Sequence, residues 1–340
     1  MAYINIKSAA DLQRQLNDLP EFSSEYQKRA IDHQNSLTKP PGSLGKLEDV
    51  ATWLAGWQKN ERPIIKNASC IVFAGNHGVA AKGVSAFPTE VTAQMVENFK
   101  NGGAAINQLT EISGASLKVV SLDIDQPTYD FTLAPAMSAE ECANAIQAGA
   151  DAVTENTDIL LLGEMGIGNT TSAAAVALST FGGKASDWVG YGTGIDEKTY
   201  EFKKDVVGAA VELHKNNQNN AFDILRTVGG RELAAISGAV LEARQRRIPV
   251  ILDGFISTSA ASVLLKDNDK ALDHTLVSHL SVEPGHKMLT EFIKKPPLLN
   301  LEMRLGEASG AAVALLIVKA ALATHNGMAT FDQAGVSSNE

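Results

Sequence analysis

Cysteine is scarce: Cys70 and Cys142 are the only two in 340 residues, and they lie in apolar stretches without C-x-x-C spacing. That pattern excludes a disulfide framework and a thiolate zinc site and suits a reducing cytoplasm. Positive charge is also short, since 29 Lys and Arg against 39 Asp and Glu leave a net charge of -10. Such a chain repels nucleic acid and anionic membranes unless it carries a strong basic patch. Its one dense basic cluster, Arg244-Gln-Arg-Arg247, reads as the solvated end of a helix. The longest uncharged apolar run, 311–318, falls far below the roughly 18 residues that a membrane span requires. The first seven residues lack the basic start and apolar core of a signal peptide. The histidines show no H-E-x-x-H or similar spacing, so no catalytic metal is expected. Internal repeats and low-complexity tracts are absent.

What is present is ample apolar material: 44% of the chain is hydrophobic, enough for a well-buried core. Six short apolar or β-branched runs, at 69–74, 117–122, 159–162, 188–191, 249–252 and 275–279, are bounded by turn residues. Helical patterns lie between them, at 90–110, 139–152, 198–215, 230–246 and 257–265. This alternation predicts an α/β fold, a Rossmann-like parallel sheet of about six strands with helices on both faces. The first 60 residues read instead as helices over 9–16, 24–34 and 47–59, broken by the loop at 38–43. A further helix follows Glu307. The expected division is a large α/β domain over 61–305 and a small helical domain made from both chain ends, 1–60 and 306–340.

Ligands of an open parallel sheet bind beyond the carboxyl ends of its strands, and five glycine-containing turns follow the predicted strands. The turn Gly163-Glu-Met-Gly-Ile-Gly-Asn-Thr-Thr171 joins a strand to an Ala-rich helix whose N-terminus points free N–H groups outward. It has neither the order of a dinucleotide fingerprint nor the Gly-Lys-Ser/Thr of a P-loop, so no nucleotide cofactor is expected. Gly166, Gly168, Asn169 and Thr170 read as a cradle for a monophosphate, or, more plainly, as a helix capped by threonine. Gly192 lies in the turn after the fourth run, and Lys203, in the helix that follows, either supplies positive charge to the same phosphate or is solvated. His77, in the first glycine turn, either touches ligand or makes a capping hydrogen bond. In Arg304-Leu-Gly-Glu-Ala-Ser-Gly310, Glu307 heads another Ala-rich helix in surroundings too apolar for an idle charge, which suggests proton chemistry.

Four motifs together, Thr38-Lys-Pro-Pro-Gly-Ser-Leu-Gly45, Gly83-Val-Ser85 through Met95, 163–171 and 304–310, resemble nicotinate-nucleotide-dimethylbenzimidazole phosphoribosyltransferases over residues 30–335 or so. The resemblance implies homodimers that transfer phosphoribose from nicotinate mononucleotide to 5,6-dimethylbenzimidazole, a step in assembling the nucleotide loop of cobalamin. It implies that Glu307 is the general base and that Glu164 lines the nucleotide site. It further implies that the glycine turns and Lys203 hold the phosphoribosyl group, that the stretch from Ser85 to Gln94 contacts the benzimidazole, and that Leu305 belongs to the site. Two departures stand out: Asn76-His77-Gly78 replaces a usual Asp-His-Gly, and Gly306-Glu-Ala-Ser-Gly310 replaces a usual Gly-Glu-Gly-Thr-Gly. Two rival readings, a nicotinamide-dependent oxidoreductase and a mononucleotide- or azole-binding protein, lack respectively the fingerprint and a reason for Glu307.

Overall fold

The computed structural model describes residues 2–192 and 194–337. Its sheet has five parallel strands, β1 (Ala68–Ala74), β2 (Ala115–Ser121), β3 (Ile159–Met165), β4 (Val250–Leu252) and β5 (Thr275–Val277), in the order β2-β1-β3-β4-β5. Ala68 of β1 pairs with Ala115 on one side and Ile159 on the other, so the two longest pairings start level. The chain winds outward from β1 to β2, then returns past β1 to β3 and continues to the opposite edge. Direction therefore reverses between β1 and β3, the place where open sheets of this order bind ligands.

Both faces of the sheet are covered, which is why β1 and β3 read as continuous apolar runs. Ile71, Phe73, Leu160 and Leu162 face one core, shared with the helices Ala139–Ala152, Asn169–Phe181 and Arg231–Gln245. Cys70, Val72, Ile159 and Leu161 face the other, shared with Lys46–Gln58, Ala105–Ser113 and Ser309–Gly327. The Ser309–Gly327 helix is long and apolar enough by length and hydropathy to cross a membrane. Here its Ala311, Leu315 and Val318 pack under the sheet as core. Residues near the N-terminus attach to the opposite face, where Ile4, Ile6, Leu12 and Leu16 are buried and Glu242 accepts the Ile4 N–H at 3.1 Å.

Three sequence expectations are corrected. Residues 188–191 are no strand: Ala185–Trp188 forms a short helix, and the buried Trp188 donates its indole N–H to Gly182 O at 2.8 Å. Trp188, Val189 and Gly190 are buried, and a short buried apolar run has the same composition in either conformation. The edge beyond β5 is extended instead by a later segment, where Leu298 and Leu299 donate to Val277 and Ser278, each at 3.0 Å. The single helix expected at 90–110 is two, Glu90–Lys100 and Ala105–Ser113, parted at Gly102, whose φ of 74° a helix does not accommodate. The basic cluster is not solvated throughout: Arg244 is 2% exposed with its guanidinium 4.3 Å from the centroid of the Trp57 ring. Arg246 donates to Val153 O and Thr154 O.

Candidate active site

The β3 turn builds the first wall. Gly168, at φ 94°, is the residue before the Asn169–Phe181 helix, a left-handed conformation that favours glycine. Lys203, from the helix Glu197–His214, is 1% exposed and donates to Thr170 Oγ1 at 2.8 Å and Gly190 O at 3.1 Å. Burial lowers its pKa to about 8, against the opposing pull of Glu283. A buried ammonium thus stands beside the helix N-terminus, two features that favour the same anion. Glu164, 5% exposed, accepts the Asn169 side-chain N–H. Burial holds its pKa well above the ordinary carboxylate range, with further upward pressure from Asp253, Glu232 and Glu307.

The second wall is the turn at 304–310. Gly306, Glu307 and Ala308 are three consecutive residues with left-handed backbone, at φ 82°, 61° and 63°. For the two non-glycine residues this costs about 1 to 3 kcal/mol each, a strain that persists only where the surroundings enforce it. They do so closely: a Cβ on Gly163 would collide with the backbone nitrogen of Ala308. From below, Asp253 Oδ1 accepts the Ala311 N–H at 3.1 Å, so a carboxylate from the end of β4 caps the Ser309–Gly327 helix. The left-handed backbone at Ala308 also accounts for the glycine usual there in the family that the motifs resemble. Glu307 is 5% exposed, and burial raises its pKa to about 7. A carboxylate moved towards neutral pH in this way suits a proton acceptor working near the operating pH.

Between these walls lies a cleft of about 640 Å³ including its mouth, bordered by Glu164, Asn169, Thr170, Gly192, His279, Glu283, Arg304, Leu305 and Gly306. A smaller recess of about 250 Å³ adjoins it, bordered by Val84, Ser85, Gly166, Gly168, Tyr191 and Lys203. The two share Gly166, Ile167, Asn169, Thr170 and Gly192. Of the residues singled out in the sequence, Glu164, Gly166, Gly168, Asn169, Thr170, Gly192, Lys203, Ser85 and Leu305 come together along these cavities, with Glu307 directly behind Gly306. Thr193, within the fourth turn, lies outside the described residues.

His77 and Gln94 are placed elsewhere. His77 is 1% exposed and its Nε2 meets Glu232 Oε1 at 2.5 Å, behind the glycine turn. Gln94 is exposed on its helix and borders neither cavity. Asn76 shows what its departure from aspartate does: its amide donates to Ile124 O at 2.9 Å and Thr89 O at 3.3 Å, while its oxygen accepts from Thr92 at 2.7 Å. A carboxylate could not make the first two bonds.

Sequence reasoning passed over Asp253, Glu232, Glu283, His279 and Arg304. Asp253 is buried and its pKa is raised to about 7 by burial, although several backbone N–H groups pull it down. Glu283 accepts the Gly192 N–H at 2.9 Å, and burial raises its pKa while Lys203 opposes. His279, which burial pushes down to about 4, stays neutral at physiological pH. The available signal was position: Asp253 and Glu283 occupy two of the five turns after strands. Glu232 had only the oddity of standing, with Arg231, directly before the mostly apolar stretch 233–241 of its helix.

Comparison with known proteins agrees with this architecture. Residues 19–336 match a phosphoribosyltransferase family model. A nicotinate-nucleotide–dimethylbenzimidazole phosphoribosyltransferase from a Ruegeria species is 49% identical over 333 residues, covering 98% of each chain. The protein of that name from Ruegeria pomeroyi is 54% identical over 308 residues, 91% of each chain. Among solved structures, CobT from Thermus thermophilus aligns with a TM-score of 0.87 and 36% identity, across 93% of this chain and 100% of that one.

Proposed function

Because the chain belongs to the family of nicotinate-nucleotide–dimethylbenzimidazole phosphoribosyltransferases, we infer that it moves phosphoribose from nicotinate mononucleotide to 5,6-dimethylbenzimidazole, yielding α-ribazole 5′-phosphate and nicotinate for the nucleotide loop of cobalamin. The observation that carries the residue-level reading is the strained, buried Glu307, next in the chain to Gly306 at the border of the cleft, with the adjoining recess bordered by Lys203 and the start of the Asn169–Phe181 helix.

In this reading the phosphate lies against Thr170, Lys203 and the N–H groups from Gly166 to Asn169, and the ribose and nicotinate extend into the larger cleft. One benzimidazole nitrogen gives its lone pair to C1′ from the face opposite nicotinate. The C1′–N bond breaks, its electron pair returns to the pyridinium nitrogen, and nicotinate leaves as a neutral pyridine. The leaving side needs no acid. The proton on the other benzimidazole nitrogen passes to the Glu307 carboxylate. Holding both reactants in line contributes about 7 to 11 kcal/mol, and the base about 10² to 10⁴-fold.

Two titrations give the pH dependence its shape. A carboxylate raised to about 7 is inert as a base below that pH, and an ammonium lowered to about 8 loses its charge above it. The expected kcat/KM profile is a bell with limbs near those values. Bound phosphate raises the Lys203 pKa, so the alkaline limb should weaken in the kcat profile; identical alkaline limbs in both would remove Lys203 from the phosphate. In steady-state kinetics, Lys203→Met should raise KM for the mononucleotide by about 10 to 100-fold, the worth of one charge-assisted contact, with KM for the base little changed. An equal rise for both substrates would contradict the assignment.

The quaternary and cellular readings are ours as well. We infer a homodimer in the cytoplasm, with small molecules as its partners and no nucleic acid or membrane, supported by the family resemblance, the acidic surface and the buried free cysteines. The division into a domain over 61–305 and a helical domain from 1–60 and 306–340 is supported by the packing of Ser24–Ser36 and Ser309–Gly327 on Lys46–Gln58. The attachment of Ile4 to Leu16 across the sheet favours assigning those first residues to the large domain.

A further inference from the structure

We propose that Arg304 is the residue that selects the acid form of the mononucleotide donor, by pairing with the carboxylate of its pyridine ring. The proposal rests on the transferase reading for the identity of the donor, and on charge placement for the rest. Nicotinate mononucleotide carries two separated anionic groups, a phosphate at one end and a ring carboxylate at the other. The two adjoining cavities carry one cation each: Lys203 borders the small recess and Arg304 the larger cleft. The remaining ionisable groups bordering the cleft offer an anion no counter-charge: Glu164, which burial holds well above the ordinary carboxylate range, Glu283, which burial raises against the pull of Lys203 and Arg304, and His279, which is neutral. With the phosphate taken by Lys203, the ring carboxylate has Arg304 as its counter-charge.

Arg304 is suited to the task by what it does not do. It is exposed at the cleft rim, forms no ion pair among the described residues, and spends only Nη1 on Gly192 O, at a long 3.4 Å. Its other guanidinium N–H groups remain to meet a planar carboxylate with two parallel bonds, a geometry that lysine cannot reproduce. The contact to Gly192, a residue common to both cavities, links the carboxylate end of the donor to the wall of the phosphate recess. Nicotinamide mononucleotide has the same ring and phosphate, but its carboxamide carries no charge and turns either its oxygen alone or an N–H towards the guanidinium.

The test is titration calorimetry of nicotinate mononucleotide and nicotinamide mononucleotide with the wild type and Arg304→Gln, alongside base-dependent turnover of each. The wild type should bind the acid about 10 to 100-fold more tightly than the amide, in line with a hydrogen-bonded charge pair. Arg304→Gln should lose that preference by weakening the acid alone. Equal affinity of the wild type for both donors would overturn the proposal, as would a variant that weakens both alike, the signature of a merely structural contact to Gly192. Preference in binding without turnover of either donor would count against the transferase reading and leave the carboxylate contact standing.

Discussion

Glu307→Gln is expected to lower kcat by about 10² to 10⁴-fold, the range for removing a general base, while the affinity for nicotinate mononucleotide stays within about threefold. The amide keeps the size of the carboxylate and cannot accept the benzimidazole proton. Removing a charge whose pKa burial already raises to about 7 also relieves a desolvation cost, so the variant should fold at least as well as the parent. The acid limb near pH 7 should disappear from whatever activity remains. A variant that retains near-normal turnover, or that loses turnover but keeps the limb, would place the base elsewhere, with Glu164 and Asp253 the nearest buried carboxylates to try.

Gly163→Ala should be nearly as damaging without removing any functional group. The added methyl would fall on the backbone nitrogen and Cα of Ala308, and backbone cannot yield as the end of a side chain does. Something must shift, and the strained turn of Glu307 is the softer partner, since Gly163 lies in the central strand between β1 and β4. A displacement of roughly 1 Å at a reacting group costs on the order of 10²-fold in rate. Overpacking should lower stability by about 1 to 3 kcal/mol while the far-ultraviolet dichroism stays native. Mononucleotide affinity should fall much less than kcat, because the phosphate recess lies at the far side of the β3 turn. Wild-type kcat in a folded Gly163→Ala protein would show that the turn does not depend on the close approach of β3.

How far these features were legible beforehand depended on their physical origin. Strands β1 and β3 were readable because burial on both faces demands an unbroken apolar run, and turn residues bound it. The same logic misassigned 188–191, since composition reports burial and not conformation. Gly102-Gly103 carried the signal for the broken helix in plain view, but the apolar spacing on either side suggested continuity. Glu307 was conspicuous as a lone charge in an apolar stretch, whereas its left-handed backbone depends on Gly163 and Asp253, far away in the chain. Asp253 as the cap of a helix 58 residues later has no local signature at all. His77 illustrates the converse: a histidine in a glycine turn at a strand end suggested ligand contact, and the partner that takes it, Glu232, comes from a helix 155 residues on.

The central claim is a base-dependent transfer, and the most direct measurement is to incubate the purified protein with nicotinate mononucleotide, with and without 5,6-dimethylbenzimidazole, and to separate the products by chromatography. Release of nicotinate only when the base is present, matched mole for mole by a new ribosylated benzimidazole phosphate, is the predicted result. Nicotinate released equally without the base, or mononucleotide bound and never consumed with it, would contradict the account.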